Sequence, residues 1–122
     1  MAIPREKLLL HLRLGRELVQ AVGIGSYFEE PTFDWVKLEP GEGTAVRAVL
    51  VRSFDEGDEW ANGVATFGTL NKLEPEGAQR HAGTLASCLV WAQERGADPD
   101  GFSTGADLDA SYARYAAQRD DA

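Results

Sequence analysis

The chain reads as an α+β fold: a single domain spanning residues 1–122, in the order α-β-β-β-α-α, with an antiparallel meander sheet packed on one face by helices. Three observations predict it. Apolar residues recur at helical spacing near both ends, β-branched and aromatic residues alternate through the middle, and short turn signals join the middle segments, which favours antiparallel neighbours.

Residues 5–22 form the first predicted helix. Pro4 suits its start, where a missing N–H costs nothing. On a 3.6-residue wheel Leu8, Leu12, Val19 and Val22 fall together, with Leu9 and Leu18 on the shoulders. Leu10 and Leu14 widen the apolar arc beyond a half-cylinder, so the helix is expected to be central in the fold or covered by a second copy. Gly23 and Gly25 then end it.

The middle reads as strands. Residues 32–38 alternate, with Phe33 and Trp35 on one side and Val36 and Leu38 on the other. Pro40-Gly41-Glu42-Gly43 is a turn signal. Residues 44–54, β-branched around Val46, Val49 and Val51, make the strongest strand. A third strand is expected over 60–70, with Val64, Phe67 and Leu70 as its apolar positions. The hairpin between them turns either in the charged run around Gly57 or at Asn62-Gly63.

Residues 75–95 are expected to form a long helix, with Ala78, His81, Ala82, Leu85, Cys88, Leu89 and Ala92 on one face and Gly96 as its stop. Asp98-Pro99-Asp100-Gly101 is a turn. Thr104 followed three residues later by Asp107 resembles a capping box, and Leu108, Tyr112 and Tyr115 mark a last, short amphipathic helix. Residues 118–122 are polar and terminal, so a frayed tail is expected.

The chain has 122 residues, enough for one continuous core, and 20 acidic against 12 basic residues give a net charge of −8. Phosphate backbones and anionic bilayers are bound through Lys and Arg, so neither direct nucleic-acid binding nor membrane docking is expected. Cys88 is the only cysteine, which excludes an intramolecular disulfide, and no run approaches the ~20 apolar residues of a membrane span. No secretory leader pattern is read at the start. A cytoplasmic location is the expectation, and a composition rich in Ala, Gly and Arg points to a GC-rich bacterial source.

No catalytic signature emerges. His81 and Cys88, taken as seven apart on one helix, are separated by about 10 Å of rise, whereas a thiol and its base need about 2.6–3.2 Å. His11 sits on an apolar arc, as structural histidines do, and no His/Cys spacing marks a zinc site. Residues 98–109 depart from a calcium loop: the glycine stands fourth instead of sixth, and the twelfth residue is Asp109 instead of Glu. Phosphate-binding glycine loops and a nucleophile elbow are missing. No metal and no cofactor are expected.

The acids are concentrated. Glu29, Glu30, Asp34, Asp55, Glu56, Asp58 and Glu59 share the strand-rich middle with Trp60. Carboxylates around a large aromatic ring suit a protein-binding patch. The expected function is therefore a small acidic, non-enzymatic binding protein, in its most concrete form an inhibitor or immunity protein masking a basic site on a partner such as a toxin. Asp55, Glu56, Asp58, Glu59, Glu29, Glu30 and Asp34 would face partner Arg and Lys, with Trp60 as anchor. Two alternatives stand beside it: a homodimer or adaptor closing over Leu10 and Leu14, and a small ligand-binding domain or enzyme with a pocket between helices and sheet that uses His11, His81 or a loop acid.

Overall fold

A computed structural model describes residues 2–56 and 63–120. It has the α+β class: four antiparallel strands form one open sheet in the order β1-β2-β3-β4, with helices packed on it. The elements are α1 (Leu8–Arg13), β1 (Leu18–Tyr27), β2 (Glu30–Pro40), β3 (Val46–Phe54), α2 (Leu70–Leu73), β4 (Arg80–Gly83), α3 (Leu85–Gln93) and α4 (Gly105–Asp120). Short 3-10 turns cover Arg5–Lys7, Val64–Thr66 and Pro75–Gly77.

The first predicted helix is correct only to Arg13. Gly15 takes a left-handed φ of +82°, the Gly15 N–H donates to the Leu12 carbonyl, and the Arg16 N–H donates to the His11 carbonyl. These paired bonds close a Schellman motif, which turns the chain out of the helix. Leu18 and Val19, read as one helical face, instead point to opposite faces of β1 and are both buried. Gly23 and Gly25 lie within that strand.

The central strands follow the alternation. Val36 and Leu38 of β2, with Val46 and Ala48 of β3, pack under α1 and α3 together with Leu8, Leu12, Cys88, Trp91 and Phe102. This is the expected helical layer. Phe33, Trp35 and Val51 on the other face pack under α4, against Leu108, Tyr112 and Ala116, with Val64 and Phe67 joining them. The sheet is thus covered on both faces. Inside the second layer Trp35 Nε1–H donates to the Ser53 hydroxyl at 2.9 Å, which satisfies both buried groups.

Two further expectations are corrected. Residues 64–70 are not a strand but a 3-10 turn leading into α2; they meet the end of β3 through an isolated bridge, Thr69 to Ser53, and the Phe54 N–H, which donates to the Gly68 carbonyl at 2.9 Å. The long helix over 75–95 divides into a 3-10 turn, the edge strand β4 and α3. Thr84 caps α3 by accepting from the Ser87 N–H, and Gly96 (φ +99°) closes it with a second Schellman pair, Gly96 to Gln93 and Ala97 to Ala92. The final helix is longer than expected and runs through Asp120. Among the described residues, no helix is long and apolar enough to cross a membrane.

Candidate functional site at the acidic end of the sheet

The β1–β2 hairpin places the first acids. Tyr27 pairs with Glu30, leaving Phe28 and Glu29 as a two-residue turn with φ of +47° and +70°. Such a turn matches strand twist but favours Asn-Gly, because a side chain in the left-handed region crowds its own carbonyl. A phenylalanine there is an outlier. It is also 83% exposed, the most exposed large apolar side chain among the described residues. Its ring stands edge-on to Tyr27 at 4.6 Å, and Tyr27 in turn lies 6.3 Å from Phe54. The Tyr27 hydroxyl donates to Glu74 Oε1 at 2.7 Å, a bond that holds the phenol's pKa above its usual value.

The end of β3 arrives beside this turn. The Asp55 N–H donates to the Pro31 carbonyl at 3.2 Å, so Glu29, Glu30, Asp55 and Glu56 share one end of the sheet. Their duties differ. Asp55 accepts from the Tyr112 hydroxyl and Glu56 from the Gly68 N–H, so both carboxylates tie the fold together. Glu29 and Glu30 are exposed, and among the described residues neither makes an ion pair.

Asp34 stands apart from this group. It lies on the sheet face opposite Arg52, accepts from Thr32 Oγ1 at 2.8 Å, and meets Arg52 Nε at 3.4 Å with its side chain only 16% exposed. Gly25 makes room for that guanidinium: a Cβ there would sit 2.4 Å from Arg52 Nη2. Asp34 therefore anchors Arg52. The remaining sequence-predicted residues, Asp58, Glu59 and Trp60, lie outside the described residues, as do both candidate turns of the expected hairpin except Gly63. Phe28 was missed by sequence reading; the signal was a two-residue aromatic-acid step, Phe28-Glu29, between the alternating runs.

Several acids elsewhere have partners. At the opposite end of the sheet Lys37 bridges Glu17 (3.8 Å) and Glu39 (3.4 Å), and Arg47 meets Glu39 at 3.3 Å. Asp100 takes Arg5 at 2.9 Å, and Asp98 accepts from the Asp100 N–H within its own turn.

The nucleophile and base candidates have other partners. His81 lies on β4, not on the helix of Cys88. Its Nε2 is 3.1 Å from Ser87 Oγ, whose own proton goes to the Thr84 carbonyl at 2.9 Å, and its ring stacks on Trp91. Cys88 is fully buried and donates Sγ–H to the Val46 carbonyl; burial pushes the thiol's pKa up, which suppresses thiolate chemistry. His11 Nδ1 faces Arg16 Nη1 at 3.0 Å and accepts from it. Among the described residues, depressions beside the sheet include one of about 340 Å³ along Val19, Gln20 and Ala21, one of about 70 Å³ along Leu50, Arg52 and Asn71, and one of about 60 Å³ between Leu9 and Leu12 of α1 and Pro40 and Val46; none of the three includes His11 or His81. Among the described residues no three His, Cys, Asp or Glu side chains gather as a metal site.

No protein-family model matches the chain, and no curated protein or solved structure is significantly similar to it.

Proposed function

We propose that the chain is a small acidic, non-enzymatic binding protein that presents the Phe28 end of its sheet to a basic partner protein. The observation that carries this reading is Phe28 itself: a bulky ring held at φ +47° and left 83% exposed, between Tyr27 and the exposed acids Glu29 and Glu30. Strain kept at an exposed position, with no burial to offset it, is the pattern of a residue retained for contact. An aromatic anchor inside a carboxylate rim suits a surface rich in Arg and Lys, and the charge of −8 speeds encounter with such a surface. Asp55 and Glu56 add negative potential from behind while bracing the fold. Asp58, Glu59 and Trp60 follow Glu56 in the chain and remain part of the proposed surface on that ground alone. The concrete form is an inhibitor or immunity protein of the bacterial cytoplasm that occupies a site its partner, such as a toxin, uses for phosphates.

The test is capture of a basic partner by the immobilised full chain, compared with Phe28→Ser and with Glu29→Lys/Glu30→Lys, at about 0.05 M and about 0.5 M salt. The expected result is loss of capture in both variants and weakening of the native complex at high salt. Equal capture by all three proteins would refute the reading. A second reading, self-assembly through α1, draws on Leu10 and Leu14, which are 56% and 60% exposed. Sizing across a concentration series, with Leu10→Ser/Leu14→Ser as the comparison, decides it.

A further inference from the structure

β1 is the first strand of the sheet, and among the described residues no other strand pairs with its outer edge. Val19 is the exception: it exchanges both backbone bonds with Ser103, at 2.9 and 3.0 Å. Further along, the register shows which groups face outward. The Pro31 carbonyl points to β3, where it accepts from Asp55. Ser26, opposite Pro31, and Ile24, opposite Phe33, therefore turn their own N–H and C=O away from β2. Among the described residues, two groups reach the edge beyond Val19: Gly96, where a Cβ would sit 3.5 Å from the Val22 carbonyl, and Arg52 Nη2, which donates to the Ser26 carbonyl at 3.3 Å.

Natural edges are guarded by Lys, Pro or an inward charge. From Leu18 to Ser26 there is no ionisable side chain and no proline, Ile24 is 51% exposed, and the sole irregularity is the bulge at Val22. We propose that the edge centred on Ile24 and Ser26 accepts an extended segment of the basic partner as a fifth strand. Main-chain bonds would supply affinity, and alternate side chains specificity. This rests on the acidic-end reading for the charge of the partner.

Charge selects a basic peptide over a second copy of the chain. Glu29 and Glu30 stand at one end of the open edge. At the other end the Asp98 backbone is bonded to the Gln20 side chain, and Asp98 itself is exposed. A two-fold pairing about Ile24 sets residue 29 of each copy against residue 19 of the other. It brings Glu29 and Glu30 toward Asp98 twice, on molecules that each carry −8. An extended segment with Lys or Arg at both ends and β-branched residues between them meets acids at both ends instead.

The probe is a set of heptapeptides with Lys or Arg at both ends and Val, Ile or Thr in the centre, added to the isotopically labelled full chain. Binding is expected to slow exchange of the Ile24 and Ser26 amides at least about tenfold. N-methylation of the alternate peptide residues that face β1 should lower affinity about thirtyfold, the loss of two ordinary hydrogen bonds, while methylation of the other alternates should not. Ser26→Pro, which removes an outward donor, and Ile24→Lys, which leaves the backbone intact, should each weaken binding about tenfold. Binding lost in Phe28→Ser but kept in both edge variants overturns the edge and leaves the acidic-end reading standing. Binding lost in the edge variants but kept in Phe28→Ser and Glu29→Lys/Glu30→Lys supports the edge and removes the acidic end. No slowed exchange with any peptide, or slowed exchange arising from self-association, overturns the proposal.

Discussion

Replacing Phe28-Glu29 by Asn-Gly should stabilise the protein and abolish binding at the acidic end. Both residues sit in the left-handed region, at φ +47° and +70°. That conformation costs roughly 1–2 kcal/mol for each residue with a bulky Cβ substituent, so relief is worth about 3 kcal/mol. The opposing terms are small. Phe28 is 83% exposed, so only about 35 Å² of its surface is covered, worth about 0.9 kcal/mol. The added conformational freedom of a glycine in the unfolded chain costs about 0.5 kcal/mol. The net expectation is a gain of about 1–2 kcal/mol, or a rise in Tm of about 4–8 °C. Thermal unfolding followed by circular dichroism measures it, and the basic heptapeptides report binding on the same samples. A Tm that falls by several degrees would show that the turn is unstrained or that Phe28 supports the fold. Unchanged peptide affinity would remove Phe28 from the contact surface. Gained stability with lost binding is the trade-off expected of a residue kept for function.

Ser53→Ala strands the buried Trp35 indole N–H and should cost about 1–3 kcal/mol in urea unfolding; adding Trp35→Phe should then cost less than Trp35→Phe does alone, because the orphaned donor is gone. Phe102→Ala empties a fully buried position beneath α1 and α3 and should cost about 3–5 kcal/mol in the same assay. Cys88 should resist a thiol reagent until the chain unfolds, since its thiol is buried and bonded to the Val46 carbonyl. Its raised native pKa sets the sign of the pH dependence. The native state holds the proton more tightly than the unfolded chain, so this contribution is full below the ordinary thiol pKa and is lost as pH rises through the native value. Cys88→Ser should flatten the alkaline limb of stability against pH; an unchanged limb would show that the thiol plays no part in it.

Local pattern was enough to read the α+β class, β2 and β3, the stop at Gly96, the turn at 98–101 and the existence of the last helix. Each rests on a local pattern that one element can satisfy alone: period-two alternation, a left-handed glycine, a side chain bonding its own backbone. β1 and β4 were settled by packing between elements. Leu18, Val19 and Val22 fit a helical wheel as well as a strand, and the choice went to the strand because an eleven-residue partner, β2, lies beside it. The Schellman break at Gly15 was written in Leu14-Gly15-Arg16 but lay inside a longer apolar pattern. β4 has four residues, too few for a period to show, and exists because β3 offers an edge to it. The acids follow the same division. Composition locates them in the middle of the chain; spatial neighbours decide that Asp34 holds Arg52, that Asp55 and Glu56 brace the fold, and that Glu29 and Glu30 stay exposed, since a charge is neutralised by what lies near it in space and not in sequence.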